Sequence, residues 1–358
     1  MRPNRRIFLL SATSAAITGC AASREALRVF VYSGGHEKTM REVFAPRFEA
    51  LTGKAVAITA GWWEGIAKLK ASPAGRPPFD LMITDATQGF PAARDGLFEA
   101  IDYGQVPHHL ELAPVTLDHW IFRERLGLPY PDSVMTLAHR HDVGQRPTRW
   151  ADLQNGVWTG QLGLYQSFYM SLYTCAAILA DTQGKAGQAR AMVESQTDEV
   201  MRFARDQARR VKLWWKTSSE MIQALAQKSV AAGNMHSPEY LQAMRENNQL
   251  AAVVPKADRA FVQVFWAIPA GCPRKALAHA AINLLFSREM QMEFARRGSA
   301  TSRLDVAESV AATDPLWASL YPHTREQFGD LQYYPYDHYA KIWDDLTDAW
   351  QRTVLDQR

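Results

Sequence analysis

The 358 residues include 40 Lys and Arg against 37 Asp and Glu, a formal net charge of +3, with 47% hydrophobic and 22% charged residues. This balance excludes a disordered chain and lacks the basic surplus on which nucleic-acid binding rests. Three cysteines without a CxxC pair exclude zinc-ribbon and disulfide-framework folds.

At the N-terminus, Arg5 and Arg6 precede an apolar run that lasts to Ile17. The run is far shorter than the roughly 20 residues that span a bilayer, so residues 1–19 read as a signal peptide. It closes on Ile17-Thr18-Gly19-Cys20, which resembles the bacterial lipobox, with Cys20 as the lipidated first residue of the mature chain. Arg5-Arg6-x-Phe8-Leu9 resembles a twin-arginine signal; an ordinary secretory signal with a chance arginine pair is the alternative. These residues predict a periplasmic lipoprotein that meets the membrane through its anchor only. Arg2, Arg5 and Arg6 all fall within the signal, which has no acid, so +3 minus 3 leaves a mature chain near neutral. A mature chain of about 340 residues exceeds what one core comfortably serves, so two lobes are expected.

After a polar tether, residues 20–26, the pattern alternates strand and helix. Leu27–Tyr32 is a β-rich run stopped by Ser33-Gly34-Gly35. Met40, Phe44, Phe48 and Leu51 follow at helical spacing, with Gly53 in place to cap the helix and Pro46 dividing it into two pieces. Val56–Thr59 is a second strand, Trp62–Leu69 a helix and Asp80–Thr84 a third strand. Strands separated by helices imply a parallel sheet with right-handed crossovers and a ligand site beyond the strands' carboxyl ends. The second half repeats the alternation: strands at Leu213–Trp215, Val230–Ala232, Ala251–Val254 and Val262–Ile268, helices at Glu220–Ala226, Pro238–Arg245, Ala276–Phe286 and Glu289–Arg296. The polar stretch from Gln183 to Arg210 reads as a solvated helical face. Ile342, Trp343, Leu346 and Trp350 form the apolar stripe of a last helix packed on the core. Cys175 and Cys272 read as buried small hydrophobes, with a disulfide between them as the alternative.

Four stretches resemble family 1 of the extracellular solute-binding proteins, in its iron and polyamine branch. They are Val29 to His36 with Phe48-Glu49-x-x-Thr52-Gly53; Pro77 to Met82 with Gly96-Leu97-Phe98 and Ile101-Asp102; Trp150 to Leu153 with Trp158-Thr159-Gly160; and Ala267 to Gly271 with Ala278-His279-x-x-Ile282-Asn283-Leu284-Leu285 and Gln291. The resemblance implies an α/β two-lobed periplasmic-binding-protein fold of type II, each lobe a mainly parallel sheet flanked by helices. Lobe 1 would comprise residues 27–130 plus 258–300, and lobe 2 residues 131–257 plus 301–358. It further implies a monomer without cofactor that clasps a small molecule between lobes and delivers it to the permease subunits of an ABC importer. A polyamine or related organic cation is the ligand expected first, ferric ion the alternative. An exported enzyme is the rival class, but no G-x-S-x-G, H-E-x-x-H, P-loop or dinucleotide fingerprint is present.

Candidate ligand residues are those at strand ends and helix starts. After the first strand come Tyr32, Ser33 and His36; His36 matches a metal-ligand position in ferric relatives or is a loop histidine. Trp62, Trp63 and Glu64 follow the second strand, where an indole face can stack on a cation or alkyl chain. Thr84 and Asp85 end the third, with Asp85 either an acidic ligand or a helix cap. The second lobe offers Trp215, Ser218, Ser219, Glu220, His236, Glu239 and Tyr240, of which Ser219, Glu220 and the Ser237-Pro238-Glu239 run also read as helix starts. A ferric site would take His36, Asp85 and Tyr240, one tyrosine short of the relatives' set. Val262 and Val264 stand where polyamine relatives carry a tryptophan and an aspartate, so Glu64, Asp85, Glu220 or Glu239 would have to meet the amine. Tyr333, Tyr334, Tyr336 and Tyr339 read as packing for the last helix.

Overall fold

The computed structural model describes residues 26–356; the signal peptide, Cys20 and the tether up to residue 25 lie outside the described residues. The first strand, β1 (Leu27–Tyr32), leads through Gly34 into α1 (Gly35–Thr39). Gly34 has φ 90°, which a side chain would resist, and this lets the chain turn sharply over the strand's end. The helix runs on through a π turn, Met40–Phe44, into α2 (Ala45–Thr52). Pro46 lies in the first turn of α2 and cannot donate to the preceding turn, which widens instead of breaking. Gly53, at φ 68°, closes α2 as the sequence predicts.

Next come β2 (Val56–Gly61), α3 (Glu64–Lys70), β3 (Leu81–Asp85) and α4 (Ala86–Arg94). β1 lies parallel between β2, with Leu27 opposite Val56, and β3, with Val29 opposite Leu81. Five of its six residues are buried, as in a strand covered on both faces, whereas β2 alternates like an edge strand.

The short β4 (Phe98–Glu99) precedes β5 (Leu128–Arg140), a 13-residue strand whose two halves pair differently. Its first half is antiparallel to β10 (Ala260–Pro269), from Leu128 opposite Trp266 to Val134 opposite Phe261. Its second half is antiparallel to β8 (Ala232–His236) and β9 (Leu250–Val253), starting with Met135 opposite His236. β10 also pairs with β3, while β6 (Leu162–Tyr165) lies parallel between β8 and β7 (Val211–Trp215). The strand order is β2-β1-β3-β10-β5-β8-β6-β7. Each half of this α/β architecture is thus a mainly parallel sheet, and β5 and β10 carry the chain between halves.

The remaining helices used below are α5 (Phe168–Thr182), α6 (Ser218–Ala226), α7 (Ser237–Glu246), α8 (Lys275–Leu285), α9 (Arg288–Arg296) and α10 (Trp343–Trp350). The polar stretch after α5 forms two helices, Ala189–Ser195 and Thr197–Ala208. α5 is buried along nearly its whole length, in keeping with a sequence that is apolar on all sides. Among the described residues no helix is long and apolar enough to cross a membrane.

One expectation is corrected, and one alternative is excluded. The strand expected at Val230–Ala232 lies at Ala232–His236, and its polar Asn234 hid it from an apolar pattern. Asn234 is fully buried because it is fully engaged: Oδ1 accepts from Tyr165 N at 2.8 Å, and Nδ2 donates to Ser171 at 3.1 Å and Thr174 at 2.8 Å. Cys175, in α5, and Cys272, after β10, are both buried and free, so no disulfide joins them.

Candidate ligand-binding cleft

The carboxyl ends of β1, β2 and β3 face those of β7 and β8 across a cavity of about 560 Å³. This is where an α/β sheet places ligands, and the volume is that of pockets enclosing small organic molecules. One wall holds Tyr32, Ser33, Gly34 and Gly35 after β1, Trp62 and Trp63 after β2, and Asp85 and Thr87 at the start of α4. The other holds Trp215 to Ser219 after β7, then His236, Pro238 and Glu239. Asp132 and Ser133 of β5, Val262 and Val264 of β10, and Tyr165, Tyr169 and Tyr336 close the floor and sides.

The aromatic wall is ordered by ring packing. Tyr32 stacks on Trp62 with centroids 5.5 Å apart, and Tyr165 lies against Trp215 at 4.4 Å. Trp62 and Trp63 keep 53% and 41% of their surface exposed, so at the mouth of the cleft their faces remain open to a ligand.

Three carboxylates face this aromatic surface. Asp85 caps α4: its Oδ1 accepts from Thr87 N at 2.8 Å and Gln88 N at 3.2 Å, and from the Thr87 hydroxyl. Desolvation still raises its pKa, against those hydrogen bonds. Asp132 is pushed up to about 7, first by loss of solvation and then by the charge of Glu239. Glu239 stays accessible to water within the cleft, yet desolvation between the two walls pushes it upward too. Asp132 is the more enclosed of the two. The cleft therefore confines acid groups that desolvation, and at Asp132 also the charge of Glu239, holds against ionisation, which a cation would relieve.

Beside them are two donors without partners among the described residues, Trp215 Nε1 and His236 Nδ1. Unsatisfied buried donors are costly, and both belong to residues that line the cavity.

Several sequence candidates stand elsewhere. His36 is absent from the cavity wall; its ring stacks on Phe294 at 5.5 Å and desolvation lowers it to about 4. Glu64 folds back to accept from Trp62 N at 2.9 Å and so closes the start of its own helix. Glu220 does the same with Lys216 N at 2.8 Å, while Thr217, and not Ser219, caps α6. Thr84 is buried in β3 beneath the wall. Tyr240 is fully buried with its hydroxyl 3.2 Å from His139 O and 3.1 Å from Ala251 O, so it bolts α7 to β5 and β9. The set His36, Asp85 and Tyr240 therefore does not converge on a metal position. Ser237 does not cap α7 either: its hydroxyl accepts from Val134 N at 2.9 Å and ties the helix to β5.

Asp132, Tyr165, Tyr169, Lys216 and Tyr336 were not among the candidates, though all line the cavity. Lys216 had a signal, since it directly follows the Trp214-Trp215 strand end. Asp132 lies between Pro131 and Ser133, where β5 pairs with β10 across a register shift at Val262 and Gln263. Asp132 thus brings a carboxylate to the cavity from the strand beside Val264.

The profile of the family described as bacterial extracellular solute-binding protein matches residues 44–319. The gamma-aminobutyric acid-binding protein of Pseudomonas aeruginosa is 26% identical over 281 residues, covering 77% of this chain and 76% of that one. Among solved structures, a GABA receptor superposes with a TM-score of 0.75 at 18% identity, covering 93% of this chain and 98% of that one. The spermidine/putrescine ABC transporter substrate-binding protein PotD of Streptococcus pneumoniae superposes with a TM-score of 0.73 at 19% identity, covering 92% and 99%.

Proposed function

Because the chain belongs to the family of bacterial extracellular solute-binding proteins, we propose that its cleft captures a small organic amine for an ABC importer. The observation that carries this reading is the convergence of Asp85, Asp132 and Glu239, from both walls and the floor, on one cavity with aromatic faces. An ammonium ion entering that space meets carboxylate partners and the π faces of Tyr32 and Trp62, which together offset its lost hydration. The unpaired donors at Trp215 and His236 suit an oxygen on the same ligand, so an ω-amino acid and a polyamine are the two amines to compare. The curated relative is named for the first and PotD for the second.

The lobes of this reading are residues 27–130 plus 258–300 and 131–257 plus 301–358, with β5 and β10 as hinge strands. Residues 332–339 qualify that division, because the strand Gln332–Tyr333 pairs with β10 and Asp337 binds Arg94 at 2.8 Å. The mature protein is a monomer held to the membrane through Cys20. Replacing Cys20 by Ser should release it from the membrane fraction, and undiminished retention would contradict the anchor.

Calorimetry with γ-aminobutyrate, putrescine and spermidine tests the ligand class. At least one should bind without turnover, and Asp132→Asn should weaken it by roughly 2 kcal/mol or more, as loss of one partner of an enclosed charge pair does. Binding of organic anions alone, or product formation, would contradict the proposal.

A further inference from the structure

Beside the cleft lies a second hollow of about 350 Å³, lined by Trp63, Tyr165, Gln166, Ser167, Phe168, Lys216, Trp343, Thr347, Trp350, Gln351 and Leu355. Trp63, Tyr165 and Lys216 line both spaces, so these three side chains form a neck between them. The outer wall is α10, expected from sequence only to pack on the core. Leu346 and Trp350 do so, but Trp343 remains half-buried and meets Trp63 edge to face, with centroids 6.0 Å apart and planes at 73°. Trp343 also packs on Phe168 at 4.6 Å, and Trp350 Nε1 donates to Gln166 O at 2.8 Å. The wall is therefore fixed against the loop that leads into α5.

Lys216 is the one charged residue of this lining. Its ammonium makes no ion pair among the described residues, and its backbone N–H is engaged by Glu220. The acid groups Asp85, Asp132 and Glu239 all line the other space. The carboxylates thus stand on one side of the neck only, and the positive charge stands at the neck itself, beside the rings of Trp63 and Tyr165. A ligand as small as γ-aminobutyrate or putrescine fills only part of the first.

We propose that the hollow under α10 is a distal subsite of the cleft, and that the ligand is an elongated amine ending in a carboxylate. The proposal rests on the amine reading of the first space. The ammonium lies among Asp85, Asp132 and Glu239, an aliphatic or planar chain passes between Trp63 and Tyr165, and the carboxylate, lying in the second space, pairs with Lys216 at the neck. A single charge partner there selects the anionic end; the indole faces of Trp63 and Trp343 bury the chain without demanding one sequence of atoms.

A ladder of ω-aminoalkanoates, from γ-aminobutyrate to chains long enough to cross the neck, measures this directly by calorimetry. For the wild-type protein, affinity should climb by about tenfold or more along the ladder. Thr347 lines only the distal space. Thr347→Trp should fill that space and abolish the gain, while γ-aminobutyrate binds as before. Thr347→Glu places an anion there without bulk, and should turn the preference from long amino acids to diamines of equal length. Unchanged melting temperatures establish that both variants fold. If γ-aminobutyrate binds but affinity is flat with chain length, or if the gain survives both substitutions, the distal subsite is overturned while the amine reading stands. If no member of the ladder and no diamine binds, the amine reading falls and takes the subsite with it.

Discussion

Tyr169 and His236 are joined by a hydrogen bond of 2.9 Å between the hydroxyl and Nε2, with their rings 24° from parallel. The phenol is the donor, since burial raises its pKa well above the ordinary value and desolvation lowers His236 to about 4. The imidazole proton therefore sits on Nδ1, the atom without a partner among the described residues on the cavity wall. Nitrogen-resolved NMR should show this neutral tautomer at pH 6, with protonation only near pH 4. The folded pKa lies below the unfolded value of about 6.5. His236 therefore costs stability as pH falls from that value through about 4, and nothing above it. A His236 midpoint above 6 would contradict the arrangement.

Asp132 works in the opposite sense. Its folded pKa of about 7 lies above the ordinary carboxyl value, so the folded protein binds the proton more tightly than the unfolded chain. Stability from this group is present at low pH and is lost as pH rises through 7. Asp132→Asn should accordingly stabilise the ligand-free protein at pH 8, by roughly 1–2 kcal/mol after allowance for its partial exposure, with the gain shrinking as pH falls below 7 and vanishing below about pH 4. Binding an amine requires the ionised form. Affinity should therefore rise with pH through 7, and calorimetry in buffers of different ionisation enthalpy should detect proton release on binding. Asp132→Asn should remove both effects.

The parallel strands of the first half were legible because β1 and β3 are buried runs broken by turn residues, and the cleft residues that follow them were found for the same reason. Tyr32, Ser33, Trp62, Trp63, Asp85, Trp215, Ser218, Ser219, His236 and Glu239 all line the cavity. What failed was the distinction between a helix-starting acid and a ligand-facing one. Glu64 and Glu220 follow strand ends as Glu239 does, but their carboxylates fold back onto backbone N–H groups, and one sequence offers no sign of that choice. Asp132 was hidden because Pro129 and Pro131 precede it in what proves to be a 13-residue strand. Tyr336 was read as packing for the last helix, yet it lines the cavity. Its hydroxyl accepts from Gln263 N at 3.2 Å, a tertiary contact that no local pattern encodes.

The geometry of Tyr240 bears on the ferric alternative. A ferric ion takes anionic oxygen donors, and a tyrosinate must be both ionisable and open to the metal. Burial pushes the Tyr240 hydroxyl well above its ordinary range, and the backbone carbonyls of His139 and Ala251 receive its proton. Adding ferric citrate should give no visible charge-transfer band. Tyr240→Phe should leave that result unchanged while lowering stability by about 1 kcal/mol, the usual cost of one buried hydrogen bond. A coloured stoichiometric complex lost in that variant would reverse the assignment.

The cleft owes its first wall to a charge cluster on the far side of the sheet. Asp80 is fully buried just before β3, where its carboxylate accepts from Arg28 N at 2.8 Å, from the Arg28 guanidinium at 2.8 and 3.1 Å, and from Arg274 Nη1 at 3.0 and 3.1 Å. The cluster fixes the entry of β3 against β1 and joins both to the segment that enters α8, so the strand ends carrying Tyr32 and Asp85 keep their spacing. Two guanidinium groups and one N–H compensate the buried carboxylate, and removing it leaves the cations without their counter-charge. Asp80→Ala should destabilise the protein by about 3–5 kcal/mol, and Arg274→Met in that background should recover part of the loss. Chemical denaturation of the two single variants and the double variant measures the coupling. Because none of these side chains lines the cavity, the folded fraction of Asp80→Ala should bind ligand within about twofold of the wild type. A large loss of affinity in well-folded protein would show that the sheet transmits strain from the cluster to the cleft, and that its role is not confined to stability.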